Sequence, residues 1–355
     1  MSTINTFQEK TLNVRNPYAV KQLSAFLTPF GFTFDPRAVD YTMVLCDEQG
    51  DIAGTGSYQG QVLKFMVVAP AYRATNAFSS IVTHLINILM KKHPQIFAFT
   101  RPGNAQSFVN LGFKEVATAE PLYTLLEFGY RSIRDYQEYL LSRKAADAIP
   151  PISALVVNCN PFSNGHRFLI ETAASQSRVV YIFVVEEDRS VFPFKDRWKL
   201  IGEGTRHLKN VVMIKGGHYV VSGATFPRYF LQNEEPDAVT RNQAELDIVI
   251  FARYVVPVLG ITRRYVGTEP YSPTTRIYNG VMKDILTTHG VEVNEVERKA
   301  EGTDADGNPN YISATKIRKA IREDNLAAVQ DFLPPCTLAY LQSGLSKAVR
   351  TRLRE

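Results

Sequence analysis

Length, composition and charge narrow the range of proteins to which this sequence can belong. A chain of 355 residues is too long for one ordinary hydrophobic core, so we expect about two domains. Apolar residues make up 45% of the chain and charged residues 21%, the proportions of a folded protein and not of a disordered one. The net charge of +5 is spread along the chain, which suits anionic small ligands but is too weak to indicate binding to nucleic acid.

The cysteines and the hydropathy of the chain indicate its compartment. Cys46, Cys159 and Cys336 are odd in number and far apart, which excludes a disulfide framework and favours a reducing compartment. No signal-peptide core opens the chain, and no apolar run reaches the roughly 20 residues of a membrane span. The His and Cys spacings indicate no metal site. We therefore predict a cytoplasmic protein with no membrane partner and no bound metal.

The first part of the chain predicts both strands and helices. Three apolar runs between residues 41 and 68, separated by Gly and Asp turns, predict an antiparallel meander. Residues 76–92 have apolar side chains at helical spacing, and residues 96–100 predict a further strand. These elements predict an α+β domain over residues 1–130.

A short connection separates this domain from the rest. Residues 131–144 predict an amphipathic helix, and the two prolines of residues 145–151 are typical of a linker. We therefore predict a helix and linker over 131–151, a second domain over 152–340 and a C-terminal helix or tail over 341–355.

The second domain alternates predicted strands with predicted helices. The strands are expected at residues 152–157, 179–186, 211–214 and 263–267. The run at 179–186 is continuously apolar, as in a fully buried parallel strand. Such alternation predicts a doubly wound parallel sheet, which binds ligands at the carboxyl ends of its strands. The predicted fold class is therefore α/β, with this sheet preceded by the α+β domain.

The turn "NPFSNGH" lies at the end of the first strand of this sheet. Asn160, Pro161, Ser163 and Gly165 supply a turn and a helix cap, for which His166 is not needed. A helix N-terminus offers free N–H groups and a partial positive charge, and both suit a phosphate. His166 would add a further donor there, although a capping or surface histidine is also compatible with the pattern.

The segment "YISATKIRKAI", residues 311–321, predicts a second helix start. Ser313 or Thr315 would cap a helix that buries Ile317 and Ile321, and simple capping would account for this segment alone. With the Arg318 guanidinium, the hydroxyl and backbone N–H groups could instead form a second phosphate site.

The two segments together resemble the paired signature of the nucleotidyltransferase superfamily, (S/T)-x-G-H and I-S-x-T-x-I-R. The segments "FPFKDRWKLI", "SGATFPRYFL" and "YVGTEPYSPTTRIYN" are further similar to those of citrate lyase ligases, and the N-terminal domain resembles a GNAT acetyltransferase. The resemblance covers nearly the whole chain. It implies an AMP-forming acid–thiol ligase that adenylates acetate with ATP, with Mg²⁺ carried by the ATP phosphates. The acceptor it implies is the thiol of the CoA-derived prosthetic group on the citrate lyase acyl carrier subunit.

The resemblance also implies roles for individual residues. His166 and Arg318 would be catalytic, with His166 on the α-phosphate and Arg318 on the β- and γ-phosphates. Asp196 and Arg197 match a "DR" pair that would form a structural ion pair or contact the ligand. The residues implied to bind the nucleotide are Asn160, Pro161, Phe162, Ser163, Gly165, His166, Arg189, Gly267, Thr268, Glu269, Ser313, Thr315 and Arg318. The superfamily turn is also written (H/T)-x-G-H, and against that form Ser163 is a departure that keeps a hydroxyl but loses an imidazole.

Other functions stay open at this point. Asn76 and Phe78 replace small residues of the GNAT pyrophosphate loop, so the first domain is expected to dock a partner or a CoA-like arm and not to bind acetyl-CoA. The second domain could instead adenylylate pantetheine phosphate or nicotinamide mononucleotide. A module that senses nucleotide and CoA without turnover is a third hypothesis, which the complete set of phosphate donors disfavours.

Overall fold

A computed structural model of the protein describes residues 7–146, 148–186, 190–221, 236–268, 272–303 and 309–354. The chain forms two compact units, one of Met1–Asp135 with Ala224–Val249 and the other of Tyr136–Gly223 with Ile250–Glu355. The domain boundaries that we placed at residues 130, 151 and 340 stay predictions, since compactness does not test which segments fold independently.

Fourteen strands occur in the described part of the chain. They are β1 (Gln8–Thr11), β2 (Tyr41–Cys46), β3 (Ile52–Gln59), β4 (Val62–Val68), β5 (Gln95–Thr100), β6 (Lys114–Ala119), β7 (Tyr123–Gly129), β8 (Ile152–Val157), β9 (Val179–Val184), β10 (Val211–Lys215), β11 (Arg263–Gly267), β12 (Glu292–Val296), β13 (Ala300–Thr303) and β14 (Pro309–Tyr311).

Twelve α-helices occur in the same residues. They are α1 (Pro17–Leu27), α2 (Ala77–Leu89), α3 (Ala105–Val109), α4 (Ile133–Arg143), α5 (Asn164–Ser175), α6 (Phe194–Thr205), α7 (Pro236–Ile250), α8 (Val256–Leu259), α9 (Pro273–Thr288), α10 (Ala314–Arg322), α11 (Pro335–Gln342) and α12 (Lys347–Arg354). Among the described helices, none combines the length and hydropathy that crossing a bilayer demands.

The first unit is built on a mixed seven-stranded sheet. Its strand order is β1-β2-β3-β4-β5-β7-β6, antiparallel throughout except for the parallel pair β4 and β5. Helix α2 packs on the sheet through Ile81, Val82, Leu85 and Leu89, all fully buried. The predicted meander and helix are therefore confirmed, and the unit is α+β.

The second unit contains a parallel five-stranded sheet in the order β10-β9-β8-β11-β12. Strand β9 is buried along its whole length, as its apolar sequence predicts. The predicted strands 152–157 and 263–267 have the bounds of β8 and β11. The α/β fold class with a doubly wound parallel sheet is thus confirmed.

The strand order creates a crevice in this sheet. Strand β8 pairs with β9 along six residues but with β11 only at Ser153↔Arg263 and Ala154↔Arg264, so β8 and β11 separate toward their carboxyl ends. The chain order also reverses between these two strands, which makes this the topological switch point where doubly wound sheets bind ligands.

Packing on one face of the sheet brings distant helices together. Ile170 of α5, Leu200 of α6 and Ile317 of α10 belong to one hydrophobic cluster with Leu155 of β8 and Ile182 of β9. Because α5 and α10 share this core, the two predicted helix starts lie on the same side of the sheet.

Candidate functional site

Helix α5 begins at the turn that follows β8, and its first turn is capped from within. The Oγ of Ser163 accepts a hydrogen bond from the His166 backbone N–H at 3.4 Å, while the Ser163 N–H donates to Nδ1 of His166 at 3.2 Å. The Ser163 hydroxyl also lies 2.8 Å from Nδ1, and Ser163 is only 2% exposed. Ser163 therefore caps the helix and also holds the imidazole of His166.

These contacts determine the tautomer of His166. A backbone N–H can only donate, so Nδ1 is an acceptor and the proton of the neutral imidazole lies on Nε2. Burial and, secondarily, the positive charge of Arg298 lower the pKa of His166 to about 4. At neutral pH, His166 is therefore an uncharged hydrogen-bond donor through Nε2.

The turn before α5 is held by contacts to other elements. The side-chain Oδ1 of Asn160 accepts from the Phe192 N–H at 3.0 Å, and its carbonyl accepts from Nη1 of Arg318 at 2.6 Å. Pro161 is buried and Phe162 is fully buried in the core. These residues position the start of α5, and none of Asn160, Pro161 and Phe162 lines the cavity described below.

Arg197 and Asp196 have separate structural contacts. Arg197 is fully buried and donates to the carbonyls of Asn158, Val185 and Phe192 at 2.9, 2.7 and 2.9 Å. Asp196 accepts from the Tyr340 hydroxyl at 2.8 Å. The described contacts thus make the "DR" pair a support for the loops beside β8 and β9.

Helix α10 begins with a cap and a cation. Ser313 is its N-cap and accepts from the Thr315 N–H at 3.3 Å, as predicted. Arg318 donates through Nη2 to the Thr315 hydroxyl at 3.1 Å and through Nη1 to Asn160, so it ties α10 to the turn before α5. Burial lowers the pKa of Arg318 from its usual value, but an arginine so placed stays cationic at neutral pH.

The two helix starts border one cavity of about 440 Å³, a size typical of small-molecule sites. Its lining residues are Ser163, Gly165, His166, Phe168, Leu169, Gly267, Ser272, Thr275, Val296, Glu297, Arg298, Lys299, Ile312, Ser313, Ala314 and Thr315. Of the predicted site residues, the structure therefore brings together those of α5, Gly267 at the end of β11, and Ser313 and Thr315.

The other predicted residues lie beside the cavity or outside the part of the chain that the structure describes. Thr268 and Arg318 are not among the lining residues. Arg318 does contact Thr315, and Thr315 lines the cavity. Arg189 and Glu269 lie outside the described residues, as does the whole of "SGATFPRYFL".

The contribution of β12 and the residues after it to the cavity was not predicted from the sequence. Val296, Glu297, Arg298 and Lys299 lie at the carboxyl end of this strand, which pairs in parallel with β11. The only signal was the sequence "VEVNEV", which mixes valines with polar residues as edge strands often do, followed after Glu297 by the basic pair Arg298 and Lys299.

Within the described ranges, no group of three or more His, Cys, Asp or Glu side chains could hold a metal ion. Cys159, beside the cavity turn, is buried and burial raises the pKa of its thiol, so it is not a nucleophile at neutral pH. The donors of this site are N–H, hydroxyl and guanidinium groups, which suit an anionic ligand.

The first unit has a separate cavity of about 640 Å³ next to β4 and β5. These strands pair only at Val62↔Phe97 and Leu63↔Ala98. Arg73 and Phe78, from the segment that departs from the GNAT loop, both line this cavity.

A doubly wound parallel sheet with two capped helix starts at its switch point defines the second unit as an α/β domain with a donor-lined cavity at the carboxyl ends of its strands. Residues 152–341 match the family model for the citrate lyase ligase C-terminal domain. The [citrate [pro-3S]-lyase] ligase of Klebsiella pneumoniae is 35% identical over 303 residues, covering 84% of this chain and 86% of that protein. The ligase of the same name from Escherichia coli K12 is 31% identical over 328 residues, covering 91% of this chain and 90% of that protein. This chain belongs to the citrate lyase ligase family and is an enzyme.

A solved GNAT acetyltransferase from Staphylococcus aureus Mu50 also matches, with 15% identity and a TM-score of 0.30, over 36% of this chain and 100% of that protein. The sequence relatives, and not this structural match, define the family.

Proposed function

We propose that this protein is an ATP-dependent ligase that adenylates acetate and transfers the acetyl group to a thiol of the citrate lyase acyl carrier subunit. One observation carries the proposal. The neutral Nε2 donor of His166 and the start of α10 border the same cavity at the switch point, and Arg318 ties α10 to the Asn160 carbonyl. The names of the relatives identify the lyase as the partner of those enzymes.

The first step is adenylation. A carboxylate oxygen of acetate attacks the α-phosphorus of ATP, the bond from that phosphorus to the oxygen of the β-phosphoryl group breaks, and pyrophosphate leaves. This chemistry asks the protein for positioning and for neutralisation of charge, without a covalent intermediate on the enzyme. His166 donates through Nε2 to an α-phosphate oxygen as negative charge develops there.

The second helix start holds the leaving group in this proposal. The N–H groups and hydroxyls of Ser313 and Thr315, with Arg318 beside them, bind the β- and γ-phosphates. Mg²⁺ enters with the nucleotide as MgATP, bound to the same phosphates. The predicted contacts of Arg189 and Glu269 stay part of the proposal.

The second step is thiol acylation. The sulfur of the prosthetic group attacks the acetyl carbonyl carbon, the bond from that carbon to the phosphate oxygen breaks, and AMP leaves while the thiol proton passes to solvent. The acceptor sulfur belongs to the partner, so no cysteine of this chain takes part. We place this reaction in the cytoplasm, in keeping with three widely spaced cysteines.

The decisive experiment is ATP–pyrophosphate exchange by the purified full chain with acetate present or absent. We expect exchange only with acetate, followed by acetylation of the carrier thiol when the carrier subunit is added. Exchange that ignores acetate but requires pantetheine phosphate or nicotinamide mononucleotide would instead identify a simple nucleotidyltransferase. Nucleotide binding without exchange under any of these conditions would favour the sensing module.

A further inference from the structure

Arg298, a residue outside both sequence motifs, reaches the same cavity from β12. Its Nε donates to the Thr268 carbonyl at 2.8 Å, and its backbone N–H donates to the Thr268 hydroxyl at 3.2 Å. Thr268 in turn donates from its N–H to the Val296 carbonyl at 2.9 Å. The guanidinium of Arg298 is therefore held at the carboxyl end of β11, the strand that forms one side of the switch point.

The charge of Arg298 acts on the part of the cavity that contains His166. It is the second cause, after burial, of the lowered pKa of that imidazole. The charged groups that line the cavity in the described residues are Glu297, Arg298 and Lys299, and Lys299 pairs with Glu301 at 2.9 Å. An anionic group bound in this cavity would be contacted from two directions, by the fixed cation Arg298 and by the neutral donor His166.

The other arginine of the site has a different position. Arg318 is bonded to Thr315 and to the Asn160 carbonyl, which places it with the start of α10. Arg298 comes from a different element and is coupled electrostatically to His166. The two guanidinium groups are thus held by separate parts of the fold, and we expect them to contact different phosphates.

We propose that Arg298 is a catalytic residue that binds the α-phosphate of ATP, together with Nε2 of His166, and stays on it through adenylation. This inference rests on the proposed function and adds a residue that neither motif contains. A guanidinium presents several N–H groups in one plane and matches two oxygens of a phosphoryl group, so it stabilises the charge that accumulates on the α-phosphate as acetate attacks. Arg318 is then left to the β- and γ-phosphates.

The test compares Arg298→Gln with Arg318→Gln and a matched control, Arg263→Gln. Arg263 lies at the opposite end of β11, outside the cavity, and pairs with Glu292 of β12 at 3.0 Å. Calorimetry would measure the affinity of each full-length variant for adenosine, AMP and ATP. We expect Arg298→Gln to weaken AMP and ATP alike and to leave adenosine unchanged, whereas Arg318→Gln weakens ATP far more than AMP.

Acetate-dependent exchange provides the second measurement. We expect Arg298→Gln to lower the rate by about a hundred- to a thousandfold, the usual effect of removing one preorganised donor. Arg298→Lys keeps the charge and the fold while losing the paired donors, so it should recover only part of the rate. It also serves as the test variant if Arg298→Gln does not fold.

The pKa of His166 distinguishes a role of Arg298 at the α-phosphate from a merely structural role of that residue. Removing the cation should raise the pKa of His166 in an NMR titration of Arg298→Gln, while Arg263→Gln leaves it at about 4. AMP affinity equal to that of the wild type in both Arg298 variants would overturn the proposal, as would wild-type protein that binds no nucleotide. The AMP measurement needs only a nucleotide site, so it decides the role of Arg298 even if exchange proves independent of acetate.

Discussion

The two helix starts that border the cavity, those of α5 and α10, are held in place by different means. At α5 the cap, the imidazole and the contacts between them all lie within Ser163–His166. At α10 the Ser313 cap is local, but the cation Arg318 is oriented by the carbonyl of Asn160, far away in the chain. A donor preorganised by its own turn and a cation preorganised by tertiary contact should therefore respond differently to mutation.

The largest effect is expected at α5. His166→Ala removes the Nε2 donor. It should raise the activation free energy of acetate-dependent exchange by about 2.7–4 kcal/mol, with little change in ATP affinity. His207→Ala is a matched control, since His207 is another histidine of the same unit that contacts a surface carboxylate, Glu171, at 2.9 Å. Exchange by folded His166→Ala at the wild-type rate would contradict the role assigned to this residue.

The next effect tests α10. Arg318→Gln loses charge-assisted hydrogen bonds of about 1.5–3 kcal/mol, so ATP binding should weaken by roughly ten- to a hundredfold. The melting temperature should also fall, because the tie to the Asn160 carbonyl is lost. Arg322→Gln, in the exposed last turn of α10, should change neither quantity. If Arg322→Gln weakens ATP binding equally, general positive charge and not the position of Arg318 explains the effect.

A glycine at the junction of the two helix starts gives a smaller effect. A Cβ added at Gly165 would lie 3.5 Å from Ile312, an ordinary contact, so Gly165→Ala should fold as well as the wild type. It should nevertheless weaken ATP binding, because the methyl group enters the cavity where phosphate approaches the backbone. In Gly204→Ala the Cβ would overlap the buried Phe162 ring, so that variant should lose about 1–3 kcal/mol of stability. Calorimetric unfolding measures the stability of each variant, and titration measures its affinity for ATP. A loss of stability in Gly165→Ala would contradict the prediction for that variant.

The smallest effect concerns pH. Because the pKa of His166 is lowered from 6.5 to about 4, the imidazole should stay neutral and the exchange rate should show no His166 titration near pH 6.5. The unfolded chain takes up the proton first as the pH falls, so the contribution of His166 to stability is complete above pH 6.5 and is lost between pH 6.5 and about 4. NMR titration of the ring checks this, and a midpoint near 6.5 would mean that the imidazole is exposed to solvent.

Much of the fold could be predicted because its signals are local. A continuous apolar run identified β9, a run of strand-forming residues identified β8, and helical spacing identified α2 and α4. Strand β12 was missed because it lies at the edge of its sheet and carries charged residues, so its hydropathy resembles that of a loop.

The candidate site could be predicted only in part, for a related reason. Ser163 and His166, which belong to one turn, were predicted as site residues from the motif, and both line the cavity. Phe162 was expected to bind nucleotide but is a core residue, because the turn points its ring away from the cavity and against α6. No property of the sequence near Arg298 shows that it lines the same cavity as His166.

By itself, the sequence determined the two capped helix starts, since a cap, a glycine and a donor within four residues act through short-range hydrogen bonds. Only the tertiary structure decided that these starts face one cavity, that Arg318 bonds to Asn160 and that Arg298, just after β12, lines the same cavity as His166. Those outcomes depend on the strand order of the sheet and on one shared core, which bring together residues more than a hundred positions apart. The tautomer of His166 follows from its own turn, whereas its lowered pKa follows from burial that the whole unit creates.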